Sequence, residues 1–190
     1  MKHLSTSCLG VLALLGLAGA FAAETPYAGQ QTRTIKALSD QEVSDYVEGR
    51  GMGSSKAAEL NHYPGPAHVI ADSSRLGLTE KQKIETQSVF DAMSTAAKRS
   101  GAAIVAKEAE LDALYASGQA APSAIKDLVT ELAHLQAEFR YAHLSAHLAM
   151  RTILTPGQIS RYDEMRGYTA MAPSSSPSTE AAPAHQHMQH

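Results

Sequence analysis

Cysteine is almost missing from this chain. Cys8 is the single thiol in 190 residues, and it lies in an amino-terminal segment that reads as a removable leader. The remainder therefore has no means of forming a disulfide or of doing thiol chemistry, even in an oxidising compartment. Tryptophan is absent and there are only three phenylalanines. Any core must then rest on Leu, Ile, Val and Ala, with a few Met and Tyr. Such an alanine-rich, aromatic-poor composition favours helices packed as hairpins over a thick globular interior. Charge of one sign is also lacking. The formal net charge is −3 and no basic cluster of nucleic-acid type occurs, so no nucleic-acid partner is expected. No nucleophile–base pair, carboxylate pair or cofactor loop stands out, and no enzymatic activity is expected.

The first residues read as an export signal. Lys2 and His3 supply a positive start, Leu9 to Leu17 an apolar stretch, and Ala20-Phe21-Ala22 a small-residue cleavage site. Cleavage is expected after Ala22, with Ala23 as the alternative. The apolar stretch is short for a transmembrane helix. Cys8 precedes that stretch instead of ending it, which argues against a lipoprotein signal. The expected product is an exported, periplasmic protein.

What the chain does have is a repeated pentapeptide. Leu78-Thr79-Glu80-Lys81-Gln82 and Leu154-Thr155-Pro156-Gly157-Gln158 share the form Leu-Thr-x-x-Gln. Thr at an N-cap accepts a hydrogen bond from an orphan N–H of the first turn, and Gln three residues on reaches back to the N–H of the cap. Pro156 adds a residue suited to the first helical position. Each copy should start a helix.

After the first box, Phe90, Met93, Ala97, Ile104, Leu111, Leu114 and Tyr115 recur at steps of three and four, which predicts a helix from Glu80 to about Ala116. At 1.5 Å per residue it would be roughly 55 Å long. Ser117-Gly118 and Pro122 break the pattern. A second helix then carries Ile125, Leu128, Leu132, Leu135, Phe139, Ala142, Ala146 and Ile153 inward. The short connection makes the pair an antiparallel αα-hairpin. The second box opens a closing helix with Ile159, Tyr162 and Met165 on one face.

Ahead of the hairpin, residues 24–37 show little periodicity and read as an extended arm. Ser39 with Glu42 forms a further capping box for a short helix ending near Gly49. Gly49-Arg50-Gly51-Met52-Gly53 looks superficially like a phosphate loop, but it follows a helix where that motif needs a strand, so it reads as a turn. A short helix over Ser54 to Leu60 and another from Pro66 to Gly77 are expected, separated by the Tyr63-Pro64-Gly65-Pro66 turn. The expected layout is a signal peptide over 1–22, an arm with short helices over 23–62, an LTxxQ helical-hairpin domain over 63–168 and a disordered histidine-rich tail over 169–190. The fold class is all-α.

An export signal, paired LTxxQ boxes and a cysteine-free hairpin together resemble the Spy/CpxP family of periplasmic proteins, whose superfamily includes the zinc-linked ZraP type and the heavy-metal sensor CnrX type. The resemblance runs from about Tyr63 to Tyr168. Leu78, Thr79, Gln82, Leu154, Thr155 and Gln158 carry it, supported by His143-Leu144-x-x-His147-Leu148. Residues Tyr27 to Gly53 depart from the best-known chaperone members, which brings the heavy-metal branch at least as close. The resemblance implies a long, bent helical hairpin that pairs into a dimeric cradle. It also implies an ATP-independent chaperone or envelope-stress protein that binds unfolded or damaged envelope proteins. The alternative it implies is a heavy-metal-binding or sensing protein, with a membrane-bound signalling partner in some relatives. Lys98, Arg99, Lys107 and Glu108 are the nominated client contacts, against the simpler reading of a solvated charged face.

Two groups of histidines bear on that alternative. His143 and His147 are one helical turn apart, so their rings can share a direction. They sit at the border of the apolar stripe beside Met150, and His68 could approach from the turn-bearing segment. His134 should project to solvent. The residue after His143 is Leu144, not Glu, so the pair is not the metalloprotease motif. The second group is His185, His187, Met188 and His190 in the tail. Imidazole with thioether suits copper, and imidazole with oxygen suits nickel, cobalt or zinc. The competing readings are histidines hydrogen-bonded at a helix border and a compositionally biased tail.

Overall fold

The computed structural model describes residues 25–168. The expected signal peptide and the histidine-rich tail lie outside them. Residues 25–32 belong to a separate unit and form turns and a 3-10 helix, Gln30–Thr32.

From Arg33 onward the described chain is helical, with no strand among the described residues. Its elements are α1 (Asp40–Val47), α2 (Lys56–Glu59), α3 (Pro66–Ala71), α4 (Ser73–Leu76), α5 (Glu80–Ala116), α6 (Pro122–Ile153) and α7 (Pro156–Arg166). The two long helices lie against each other as the expected antiparallel hairpin, and α1 and α3 rest on α5. No helix among the described residues is long and apolar enough to cross a membrane.

The starts of α5 and α7 follow from local chemistry. Thr79 Oγ1 accepts from the Gln82 N–H at 3.2 Å, and the Thr79 N–H donates to Gln82 Oε1 at 3.0 Å. Thr155 and Gln158 repeat the arrangement at 3.3 and 2.9 Å. The structure then adds something that capping alone does not require. Gln82 Nε2 donates to Gln158 Oε1 at 2.8 Å, and Gln158 Nε2 donates back to Gln82 Oε1 at 3.1 Å. Their remaining amide hydrogens go to the Ile153 carbonyl at 2.9 Å and the Gly77 carbonyl at 3.3 Å. The two boxes are therefore locked to one another, and the α4–α5 and α6–α7 corners are held side by side.

Beneath this lock lies one apolar cluster: Val69, Leu76, Leu78, Met150, Leu154 and Tyr162. A second cluster sits midway along the hairpin, where Ala97, Ile104, Leu132 and Phe139 meet. Burying each large side chain contributes about 1.5–3 kcal/mol. Between Ile104 and Leu132, around the tip of the hairpin, no residue is buried. Tyr115 falls there. Its spacing places it on the inner face, yet it is 59% exposed, because the opposing start of α6 offers no buried partner.

Two further expectations change. Residues 33–37, the described end of the expected extended arm within this unit, form bends and turns. Leu38 N–H turns back to the Ile35 carbonyl at 3.1 Å, both side chains are buried, and Lys36 pairs with Asp112 of α5 at 3.0 Å. Two apolar residues three apart are too few to register as a period, yet they suffice to anchor a turn. The helix expected from Pro66 to Gly77 is broken at Asp72 (φ −102°, ψ 17°). Asp72-Ser73-Ser74 carry short polar side chains that favour non-helical local bonding. Gly77, at φ 66°, then ends α4 in the left-handed region.

The seat of α1 depends on a missing side chain. Gly101 lies buried on α5, and a Cβ there would stand 2.0 Å from the Tyr46 carbonyl oxygen. With that space open, Tyr46 reaches the Phe139 ring edge-on at 5.3 Å between centroids.

Candidate metal cleft

Where α1, α2 and their connecting glycine loop lean over α5 and α6, they leave a cleft of about 550 Å³. His143 and His147 form its floor, Met93 of α5 one wall, and Glu59 of α2 another. Arg166 and Tyr168 reach in from the end of α7.

His143 is 4% exposed. It is buried instead of lying at the border of the apolar stripe. Its ring stands edge-on to Phe139 at 5.0 Å, and its Nε2 is buried without a hydrogen-bond partner among the described residues. The Gly51 backbone lies over the other side of the ring, where an added Cβ would be 3.6 Å from Nδ1. Burial pushes the His143 pKa down, and neighbouring His147 adds to the shift. The imidazole is therefore neutral at pH 7, with a lone pair free to bind a cation.

One turn along, His147 is also buried. Its Nδ1 makes a 2.7 Å hydrogen bond with the Tyr63 carbonyl and lies 3.5 Å from Glu59 Oε2. A carbonyl acceptor fixes the proton on Nδ1 and leaves Nε2 as the basic nitrogen, the pattern commonly seen behind metal-bound imidazoles. Gly65 makes room for this ring, since a Cβ there would be 3.0 Å from His147 Cε1.

Glu59 is the hub. Its Oε1 accepts from the Tyr162 hydroxyl at 2.5 Å and the Tyr168 hydroxyl at 3.2 Å, and lies 3.6 Å from Arg166 Nε. Tyr162 in turn accepts from the Gly65 N–H at 3.2 Å. Burial, and then the bond to Glu59, raises the Tyr162 pKa, so the phenol remains a donor. Beside this hub, His62 Nδ1 meets Asp163 Oδ2 at 2.8 Å, and Arg151 donates to the His62 carbonyl at 3.1 Å. The 59–65 loop is thus tied to α6 and α7 at several points.

The remaining expected residues divide clearly. His68 is exposed and lines the cleft, apart from the buried pair. Met150 is fully buried in the apolar cluster under the LTxxQ lock and does not line the cleft. His134 is exposed beside Glu138, as expected. Lys107 bridges to Glu110 and to Glu131 across the hairpin, so it is not a free contact, and Lys98 stands 4.0 Å from Glu48. His185, His187, Met188 and His190 lie outside the described residues. Among the described residues, no group of three His, Cys, Asp or Glu is arranged to hold a metal ion as the side chains stand. The donor set nonetheless fits a cation: a neutral buried imidazole without a partner, a second imidazole with its proton fixed away, and a carboxylate beside it.

The sequence reading missed Glu59, Tyr162, Tyr168 and Arg166 as parts of one site. The available signal was weak. Glu59 ends a one-turn helix, and Tyr162 reads as an ordinary core residue of the closing helix.

Comparison with known proteins adds one finding. A family model described as heavy-metal resistance matches residues 51–161, more than half of the chain. That span includes the loop over the cleft, both histidines and both LTxxQ boxes. No curated protein and no solved structure matched the chain.

Proposed function

The chain belongs to the heavy-metal resistance family, and from that premise we propose that it is a periplasmic, non-enzymatic protein that binds a heavy-metal ion at the His143–His147 cleft. Within the wider superfamily this reading puts it nearer the metal-handling branch than the chaperone branch. The observation that carries it is the buried, unpartnered Nε2 of His143, one turn from His147, which itself lies beside the Glu59 carboxylate. An imidazole enclosed without a partner costs stability unless something uses its lone pair.

His143, His147 and Glu59 would hold the ion, with the thioether of Met93 and the imidazole of His68 also lining the cleft. Two imidazoles and a carboxylate suit nickel, cobalt or zinc, and the thioether extends the range to copper. The Tyr63 carbonyl and the Tyr162 hydroxyl orient the donors. The histidines of the tail, His185, His187 and His190, would add a weaker second site.

Calorimetric titration with copper, zinc, nickel and cobalt tests the proposal, with oligomeric state followed in parallel. The intact protein should bind one ion tightly, and a His143→Ala/His147→Ala variant should lose that binding. Deletion of residues 169–190 should remove only the weaker events. Binding left unchanged in the double variant refutes the site.

A second reading, an ATP-independent chaperone for unfolded envelope proteins working as a homodimer, is supported by apolar exposure on the hairpin. Ile84, Tyr141 and Leu148 are 70%, 71% and 60% exposed. Tyr141 and Leu148 are two turns apart on α6, and between the long helices runs a groove of small residues such as Ala92, Ala96 and Ala149. Failure to slow aggregation of an unfolding client at equal concentration removes this reading.

A further inference from the structure

The cleft already contains a cation of the protein's own. Arg166 Nε lies 3.6 Å from Glu59 Oε1, and its Nη2 reaches the Tyr168 hydroxyl at 3.5 Å. The two oxygens of Glu59 are used differently. Oε1 faces Tyr162, Tyr168 and Arg166, all from α7 or the residues just beyond it, while Oε2 faces His147. Tyr162 and Tyr168 are neutral donors and can stay in place when the carboxylate takes up a metal, as hydrogen-bonding partners behind metal ligands commonly do. Arg166 differs because it carries charge. A guanidinium and a divalent ion on one carboxyl group repel each other, and the low exposure of Glu59 lets that repulsion be felt more than in open water, although Arg166 itself remains partly exposed.

We infer that Arg166 is a resident competitor for Glu59, which sets the metal concentration at which the cleft fills, and that filling the cleft removes one of the ties on the last turn of α7. The inference rests on the metal-binding reading above. Linkage makes the two effects one quantity: whatever Arg166 costs the metal in affinity, the metal costs Arg166 in its hold on Glu59. The end of α7 is held by the groups that meet Glu59. Arg166 also lies over the Tyr168 ring at 5.8 Å, and Gly167 closes the helix between them. Losing Arg166 from Glu59 therefore removes a tie between the cleft and the chain that follows α7.

The sign of the effect separates competition from simple support. The full chain is titrated with zinc alone as wild type, Arg166→Gln, Arg166→Lys and His143→Ala/His147→Ala. Competition predicts that Arg166→Gln binds zinc about fivefold to tenfold more tightly, that Arg166→Lys stays near wild type, and that metal-free Arg166→Gln is no more stable than wild type. Zinc should also speed amide hydrogen exchange in the last turn of α7 in the wild type, and much less in Arg166→Gln. Equal or weaker zinc binding by Arg166→Gln overturns the inference while leaving the site intact. Absence of zinc binding by the wild type, or binding untouched in the double histidine variant, overturns the metal reading and the inference with it.

Discussion

Replacing Gly101 with alanine should destabilise the protein, although a glycine-to-alanine change inside a helix ordinarily does the reverse. The ordinary gain is about 1 kcal/mol from the better helix propensity of alanine. Against it stands a collision with backbone: the new Cβ would lie 2.0 Å from the Tyr46 oxygen and 2.7 Å from its carbonyl carbon. A tolerable carbon–oxygen approach is about 3.3 Å, so α1 must retreat by roughly 1.3 Å. Backbone cannot swing aside as a side-chain tip can, and the retreat draws Tyr46 off Phe139, a contact contributing about 0.5–1.5 kcal/mol beyond its buried area. Overpacking of this kind costs about 1–3 kcal/mol. The expected net effect is a loss of about 1–2 kcal/mol, or roughly 3–6 °C in Tm for a chain of this size. Phe139 also walls His143, so metal affinity should fall as well. Gly157→Ala is the matched control, since that glycine is helical and an added Cβ would meet nothing within 4 Å; it should gain a few tenths to about 1 kcal/mol. Urea denaturation of both variants decides the matter. If Gly101→Ala proves as stabilising as Gly157→Ala, then α1 does not sit on α5 as described.

The LTxxQ lock and the buried histidine each yield a further test. Gln82→Ala and Gln158→Ala should each cost about 1–2 kcal/mol, because each loses a cap bond and the partly buried amide bonds across the lock. In a double-mutant cycle the pair should show a coupling of about 1 kcal/mol; additive losses would mean that the two boxes act independently. With chelator present, wild-type stability should hold above about pH 6.5 and decline as pH falls through the lowered folded-state pKa of His143, since the unfolded chain takes up that proton first. His143→Gln should flatten that slope below about pH 6.5 in urea midpoints, and an unchanged slope would show that another group is responsible.

How far the fold could be read from sequence depended on whether the signal was local. Helix α5 begins and ends where the Thr79 box and the periodic residues place it, at Glu80 and Ala116. Capping and amphipathic spacing are properties of neighbours in the chain. The site was half legible for the same reason. His143 and His147 announce themselves by a one-turn spacing, while Glu59 meets His147 across more than eighty positions and belongs to a four-residue helix with no period of its own. Met150 shows the converse. It shares the face of His143 and His147 and yet packs in the apolar cluster with Val69 and Tyr162, because it lies farther along α6, past the end of the cleft. Gly65 looked like a turn residue and is one, but its missing side chain is also what lets backbone close on the His147 ring.

The uneven burial along the hairpin has a consequence for how it comes apart. Apolar anchoring is concentrated at the LTxxQ end and at mid-length, and the tip from 105 to 131, without a buried residue, is held by helix hydrogen bonds, surface pairs and partly buried contacts such as Leu111. Such a region opens at a small fraction of the global unfolding free energy. The molecule should therefore behave as a clamp with a stiff hinge and loose jaws. Proteases should enter at the Ser117–Ala121 bend long before they reach the cleft, and a ligand gripped between the jaws need not disturb the metal end.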